Sequence, residues 1–243
     1  MSEALSREDN PWRKLPKQPP YVLMSDDVAF VRHHNRIASP KHRIQENSLP
    51  EPFIGNPNSA KLVLLNLNPG HDGSVETDHG RPEIKDAIFD NLYQRHTEYP
   101  FYAFNPAFGK TTEFEQTGVA TYWRERTIRL QEATGLADAA FAKKIFVIEW
   151  FPYPSENWFC TAEKYETTRN SLCPSQDYNF QLALSFVADP RVIILGMRSK
   201  RYWVAVDTRF ERVPFLNSCQ NTRLTPRNME PGLFDKIVKL MTG

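Results

Sequence analysis

Apolar positions along the chain fall into short continuous runs separated by stretches with helical spacing. Residues 61–68 (KLVLLNLN) form a β-rich apolar run ended by Pro69-Gly70, and residues 144–151 (KIFVIEWF) form a second, broken by Pro152 and Pro154. Residues 191–196 (RVIILG) read as a third strand and 212–217 (RVPFLN) as a candidate fourth. Between these runs, 82–95 places Ile84, Ile88 and Leu92 four residues apart, and 118–134 does the same with Tyr122, Arg126 and Leu130 before a stop at Gly135. Ser175 can cap a helix over 176–188, with Pro190 following, and a last helix runs from about Gly232 to Met241. Residues 96–117, rich in aromatics and Pro, read as a loop. Strands separated by helices require crossover connections. The expected fold is therefore α/β: a three-layer α/β/α sandwich around a central, mainly parallel four-stranded sheet.

The N-terminal fifty residues break the pattern. Pro11, Pro16, Pro19 and Pro20 with scattered charge predict an extended arm rather than a packed element, followed by a short helix from Asp26 to about His34. The reading is thus an arm over 1–50 and one domain over 51–243.

Composition adds limits. Among 243 residues, 16 Phe, 9 Tyr and 5 Trp supply a core despite a mean hydropathy of −0.54. The longest apolar runs span a few residues, so no membrane span is expected, and the start MSEALSREDN lacks a secretory apolar stretch, which points to the cytoplasm. Three cysteines without a CxxC pair argue against a disulfide framework, a zinc site or an iron–sulfur cluster, and neither a cofactor nor a metal is expected. The near-neutral total, 30 basic against 29 acidic residues, conceals segregation: residues 44–190 carry −8, whereas 191–228 carry +6. The basic segment sets Arg198, Lys200 and Arg201 beside Tyr202 and Trp203, followed by Arg209, Arg212, Arg223 and Arg227. Such interleaving suits either a nucleic-acid backbone with exposed bases or a solvated, salt-bridged face.

In parallel sheets ligands bind beyond the carboxyl ends of the strands, so the loops after residues 67, 148, 195 and 216 hold the candidate chemistry. Asn68-Pro69-Gly70 is either an ordinary strand-ending turn or a presentation of Asn68, whose carbonyl can orient a water. Glu149 is either a surface charge or a carboxylate aimed into an aromatic cleft, where apolar neighbours would raise its pKa. Residues 217–226 are a polar turn or the lip of a nucleotide pocket. His71, Asp72, Asp78 and His79 cluster, but their irregular spacing favours a polar loop over a metal site.

The order of these segments resembles the uracil-DNA glycosylase superfamily. Leu65-Asn66-Leu67-Asn68-Pro69-Gly70 is similar to its first motif in the Asn-Pro-Gly form of the mismatch-specific and single-strand-selective branches. Phe101 to Pro106 with Tyr122-Trp123 resembles the aromatic segment and helix of the mismatch-specific branch. Phe146 to Pro154 resembles the strand carrying the base-reading residue, and Leu216-Asn217-Ser218 the approach to the second motif. The similarity covers roughly residues 52–241. It implies that Asn68 positions the water attacking the sugar C1′, with Gly70 beside the base. Phe104 (or Phe101 or Phe108) would stack on a flipped-out base, Asn217 and Ser218 would stabilise the leaving base or grip a phosphate, and Leu224 or Arg223 would fill the vacated stack. Arg198, Lys200 and Arg201 would contact DNA, single- or double-stranded, and the chain would act as a monomer.

Two departures from the family stand out. Glu149 occupies the position of a uracil-reading Asn, and an ionised carboxylate accepts from N3–H but repels O4, at a cost of a few kcal/mol. It suits two adjacent donors better, such as the N1–H and N2–H₂ edge of a guanine-like base. Asn217-Ser218-Cys219 lacks the His and Pro of the second motif. The resulting expectation is a divergent DNA glycosylase acting on a base other than ordinary uracil. The alternatives are a catalytically inactive nucleic-acid-binding module of the same fold, and a hydrolase of free nucleosides, which a short, closed 220–224 loop would favour.

Overall fold

In a computed structural model the chain is described over residues 9–71, 75–108, 117–157 and 173–243. Strands β1 (Phe53–Gly55), β2 (Leu62–Asn66), β3 (Ile145–Glu149) and β4 (Ile193–Gly196) form one sheet in the order β1-β3-β2-β4. The pairs β2–β3 and β2–β4 are parallel and β1–β3 is antiparallel, so the fold is the α/β sandwich with a mainly parallel four-stranded sheet that the alternation of elements implies. Every residue of β2 and β3 is buried, because helices cover both faces.

The helices are α1 (Val28–Ile37), α2 (Val75–Gly80), α3 (Pro82–Leu92), α4 (Gly118–Thr134), α5 (Asp138–Lys144), α6 (Gln176–Val187), α7 (Lys200–Val206) and α8 (Leu233–Thr242). Helix α4 begins where the Thr117 hydroxyl accepts from Ala120 N–H and ends at Gly135, whose positive φ of 62° closes the C-terminus. Helix α6 packs on β3 and β4, and Phe146 of β3 meets Phe186 of α6 with ring centres 5.9 Å apart. Side chains alternate along a strand, so Ile145, Val147 and Glu149 point to the other face of the sheet.

The fourth strand is not the one expected. Residues 212–217 make a single parallel bridge, Phe215 to Gly196, held by Gly196 N–H to Pro214 O and Leu216 N–H to Gly196 O, both 2.8 Å. Pro214 has no N–H to extend a ladder, and the Phe215 ring lies where a Cβ on residue 196 would approach it to 2.1 Å. The fourth place belongs to β1, three residues after Pro52 that carry too little pattern to be read as a strand.

The N-terminal segment is not an arm. Trp12, Leu15, Tyr21, Val22 and Leu23 are buried in the same core as the sheet. Trp12 Nε1–H donates to Asn179 Oδ1 at 3.2 Å, and its ring lies edge-on to Tyr153 at 5.8 Å. Asp27, fully buried, accepts from Tyr153 Oη at 2.6 Å and from Ser175 N–H at 3.0 Å, tying the start of α1 to the exit of β3 and the start of α6. Pro11 opens a short 3-10 helix over Pro11–Lys14, capped by Asn10, and the prolines of the segment do not keep it from packing.

Candidate functional site

The carboxyl ends of β2 and β3 open onto a cavity of about 440 Å³. Asn66, Asn68 and Gly70 reach it from β2 and its turn, Glu149 from β3, Arg198 from the loop after β4, and Tyr122 and Trp123 from α4. Glu51, which precedes β1, and Asp78 and His79 of α2 complete the acidic side of the wall.

Asn66 and Glu149 are partners in the parallel register, so their side chains leave the sheet on the same face. Asn66 Nδ2–H donates to Glu149 Oε1 at 2.9 Å. The other two oxygens, Asn66 Oδ1 and Glu149 Oε2, are buried and have no hydrogen-bond partner among the described residues. Arg198 Nε is a buried donor in the same condition. Burial pushes the Glu149 carboxyl up to about 8, against the opposing bond from Asn66, with the Glu51 charge adding to the rise and Arg198 opposing it. The neutral form of Glu149 is therefore favoured at pH 7. A neutral carboxyl donates to a carbonyl much as an amide does, so repulsion of uracil O4 by a fixed charge does not describe this site.

The Asn-Pro-Gly turn is held against the segment after β3. Gly70 bridges Ser155, His71 N–H donates to Ser155 O at 3.1 Å, and Asn68 Nδ2–H donates to Ser155 Oγ at 3.1 Å and Pro69 O at 2.9 Å. With its N–H groups engaged, Asn68 has Oδ1 left to orient a water. Across the cavity, Tyr102 Oη donates to Glu51 Oε2, while His79 Nδ1 accepts from Leu49 N–H at 3.0 Å and its Nε2 lies 3.7 Å from Glu51 Oε1.

Of the residues singled out in the sequence, Asn68, Gly70, Glu149 and Arg198 share one cavity, together with His71, Asp78, His79, Tyr122 and Trp123. Others lie elsewhere. Phe104 is wholly buried, edge-on to Phe141 at 5.0 Å with the Arg124 guanidinium 5.1 Å from its ring centre, and Phe101 and Phe108 are buried too. The aromatic wall comes instead from Tyr122 and Trp123. Asn217 is outside the cavity: its Nδ2–H groups donate to Arg227 O and Met229 O at 3.3 and 3.2 Å. Ser218 Oγ accepts from Asn221 N–H at 3.1 Å, and Asn228 Oδ1 accepts from Ser218 N–H at 3.0 Å. Leu224 is fully buried, with its N–H donating to Arg126 O at 2.7 Å, so it is core here and not a free wedge. Arg223 is 60% exposed, 3.8 Å from Glu125, which counts against the closed loop of a free-nucleoside hydrolase. Lys200 and Arg201 are exposed on α7, the first 5.7 Å from the Phe215 ring centre and the second bonded to Tyr202 Oη at 2.8 Å.

Asn66 and Glu51 were not among the expected site residues, and His79, expected in a polar loop, reaches the wall from helix α2. Asn66 left one usable signal: both apolar strand runs, LVLLN and IFVIE, end on a polar residue, and parallel pairing makes them neighbours. Asp72 lies outside the described residues. Among the described residues no group of three or more His, Cys, Asp or Glu side chains is placed to hold a metal. No helix among them is long and apolar enough to cross a membrane. No family model matches the chain, and neither a curated protein nor a solved structure does.

Proposed function

We propose that the cavity receives a flipped-out nucleobase and that the chain is a divergent DNA glycosylase, a monomer acting on DNA in the cytoplasm. One observation carries this reading: Asn68 and Glu149, at the carboxyl ends of neighbouring parallel strands, line a single cavity whose wall includes Tyr122 and Trp123. A base inside a duplex presents its glycosidic bond only after leaving the stack, and it then needs an aromatic wall, polar groups on its edge and a water held near C1′. Tyr122 and Trp123 supply the first, Asn66 and Glu149 the second, and Asn68 Oδ1 the third. Arg198, Lys200, Arg201 and Arg223 lie on the basic part of the chain and would meet the phosphates.

The test is to incubate the protein with oligonucleotides carrying uracil and a panel of damaged bases, then alkali. Strand breaks at one base, reduced about a hundredfold or more in Asn68→Ala, are expected, the scale at which a lost polar catalytic group shows. Breaks no more frequent than with Asn68→Ala would overturn the reading.

A second reading, a nucleic-acid-binding module without catalysis, is favoured by the placement of Asn217 and Ser218. Both are engaged within their own loop, so no second-motif group reaches the cavity. It predicts salt-dependent binding, weakened by substitution of Lys200 and Arg201, with the nucleic acid left intact.

A further inference from the structure

The cavity is acidic. Among the described residues, Glu51, Asp78, Glu149 and Glu156 line it against a single guanidinium, Arg198, with His71 and His79 also on its wall. An acidic lining alone would say little, since carboxylates on a wall can simply face water. Two further features point to a ligand. Glu149 is 2% exposed and Asn66 4%, and each holds an oxygen with no partner among the described residues. Buried polar atoms left in this state represent a standing desolvation cost; a ligand's N–H groups would relieve it, accepted by Asn66 Oδ1 and, once the carboxyl ionises, by Glu149 Oε2. Tyr122 and Trp123 give the wall aromatic surface, and the Tyr122 ring already holds a cation, the Arg126 guanidinium 3.6 Å from its centre.

The catalytic equipment points the same way. When a neutral base leaves, negative charge builds on it and must be stabilised. The groups expected to do this, Asn217 and Ser218, are outside the cavity. A base already carrying a positive charge needs no such help. As its C1′–N bond breaks, the electron pair passes to the ring nitrogen and cancels that charge. The base departs neutral, water bonds to C1′, and one proton is released to solvent. An oriented water and an acidic cavity suffice.

We propose that the preferred ligand of this cavity is a cationic, N-alkylated purine-type base, its ring and exocyclic N–H groups donating to Glu149 Oε2 and Asn66 Oδ1 and its carbonyl accepting from Arg198 Nε. The proposal rests on the reading that the cavity takes a nucleobase. It assigns Asn66 a specificity role, because its Nδ2–H fixes Glu149 Oε1 and leaves Oε2 for the ligand. It also makes binding proton-coupled. Without a cation beside it Glu149 favours its neutral form, facing Asn66 from β2, Glu51 from the approach to β1 and Arg198 from the loop after β4. A bound cation favours the carboxylate, so Glu149 gives up its proton as the ligand enters.

The experiment is calorimetry of the full chain with N7-methylguanosine and with guanosine, in mildly acidic buffers of differing ionisation enthalpy, where the methylated nucleoside is a cation. Roughly tenfold or tighter binding of the methylated nucleoside is expected, with net proton release. In Glu149→Gln, which keeps an acceptor for Asn66, both the preference and the proton release should be lost. Equal binding of the two nucleosides, absence of binding, or a preference and proton release unchanged in Glu149→Gln would overturn the proposal. Abasic-site formation from DNA containing N7-methylguanine, uracil or hypoxanthine separates this inference from the wider one. Cleavage at the neutral bases alone would overturn cation preference and leave the glycosylase standing. Cation binding without cleavage at any base would do the reverse.

Discussion

Two polar regions of this molecule look alike in sequence and differ in what they do with their hydrogen bonds. The loop over 217–228 is dense in Asn, Ser and Thr, and its groups bond largely to one another, with Thr222 Oγ1 the exception, buried without a partner among the described residues. Asn228 accepts from Ser218 N–H and donates to Asn221 O and Arg223 O, while Asn217 donates to Arg227 O and Met229 O. At the ends of β2 and β3 the polar groups are fewer, deeper and incompletely bonded, with Asn66 Oδ1 and Glu149 Oε2 lacking partners among the described residues. A network whose members answer each other fixes a backbone. A buried pair with unpaired oxygens can bind a ligand at a cost in stability. The contrast supports the proposed site at the strand ends and a bracing role for most of the loop.

The largest test of that contrast is the pH dependence of stability. Unfolded, Glu149 ionises near the ordinary carboxylate value of about 4.3; folded, it stays neutral up to about 8. Between those values the unfolded chain holds fewer protons, so this group makes the fold less stable as pH rises, at about 1.4 kcal/mol per pH unit at most. Chemical denaturation of Glu149→Gln against the wild type should give a difference that grows across this window in favour of the variant and then levels off. A flat difference would mean that Glu149 is already ionised in the fold.

Next come substitutions on the loop side. Leu224→Ala should lose about 2–5 kcal/mol through its cavity, and Asn228→Ala about 2 kcal/mol by stranding three backbone groups. Neither should alter ligand affinity in the strand-end cavity beyond about twofold. Calorimetry on the two variants checks this, and a large loss of affinity without loss of fold would move the loop into the functional site. Arg223→Ala should have the smallest effect. Its exposed contact with Glu125 is worth below about 0.5 kcal/mol, but a phosphate contact would show as a salt-dependence slope for DNA binding shallower by about one.

Legibility in the sequence followed length and periodicity. The parallel strands β2, β3 and β4 and helices α3, α4, α6 and α8 each carry an unbroken apolar rhythm. Helix α2 (VETDHG) has none, α5 (DAAFAKK) is two turns with Phe141 as its one large apolar residue, and the seven residues of α7 hide within a basic cluster. Half the candidate cavity was visible, because strand ends in a parallel sheet are predictable positions: Asn68, Gly70 and Glu149 follow from topology. Whether an aromatic faces a cavity or a core is decided by what packs on it. Phe104 went inward against Phe141, whereas Tyr122 and Trp123 reached the wall. Glu51 and His79 arrive from segments with no pattern, brought together only by tertiary structure.

The burial of Trp12 has a consequence for how the protein is made. Its indole N–H meets Asn179, 167 positions later, so the segment around Trp12 cannot complete its packing during synthesis until α6 has followed. The same contact sets where the molecule can be cut. Trimming at residue 50, a boundary that the prolines invite, would remove Trp12, Leu15, Val22, Leu23 and the buried Asp27. The remainder would expose Tyr153 and α6 where the missing segment belonged, a fragment made for aggregation rather than a smaller working unit.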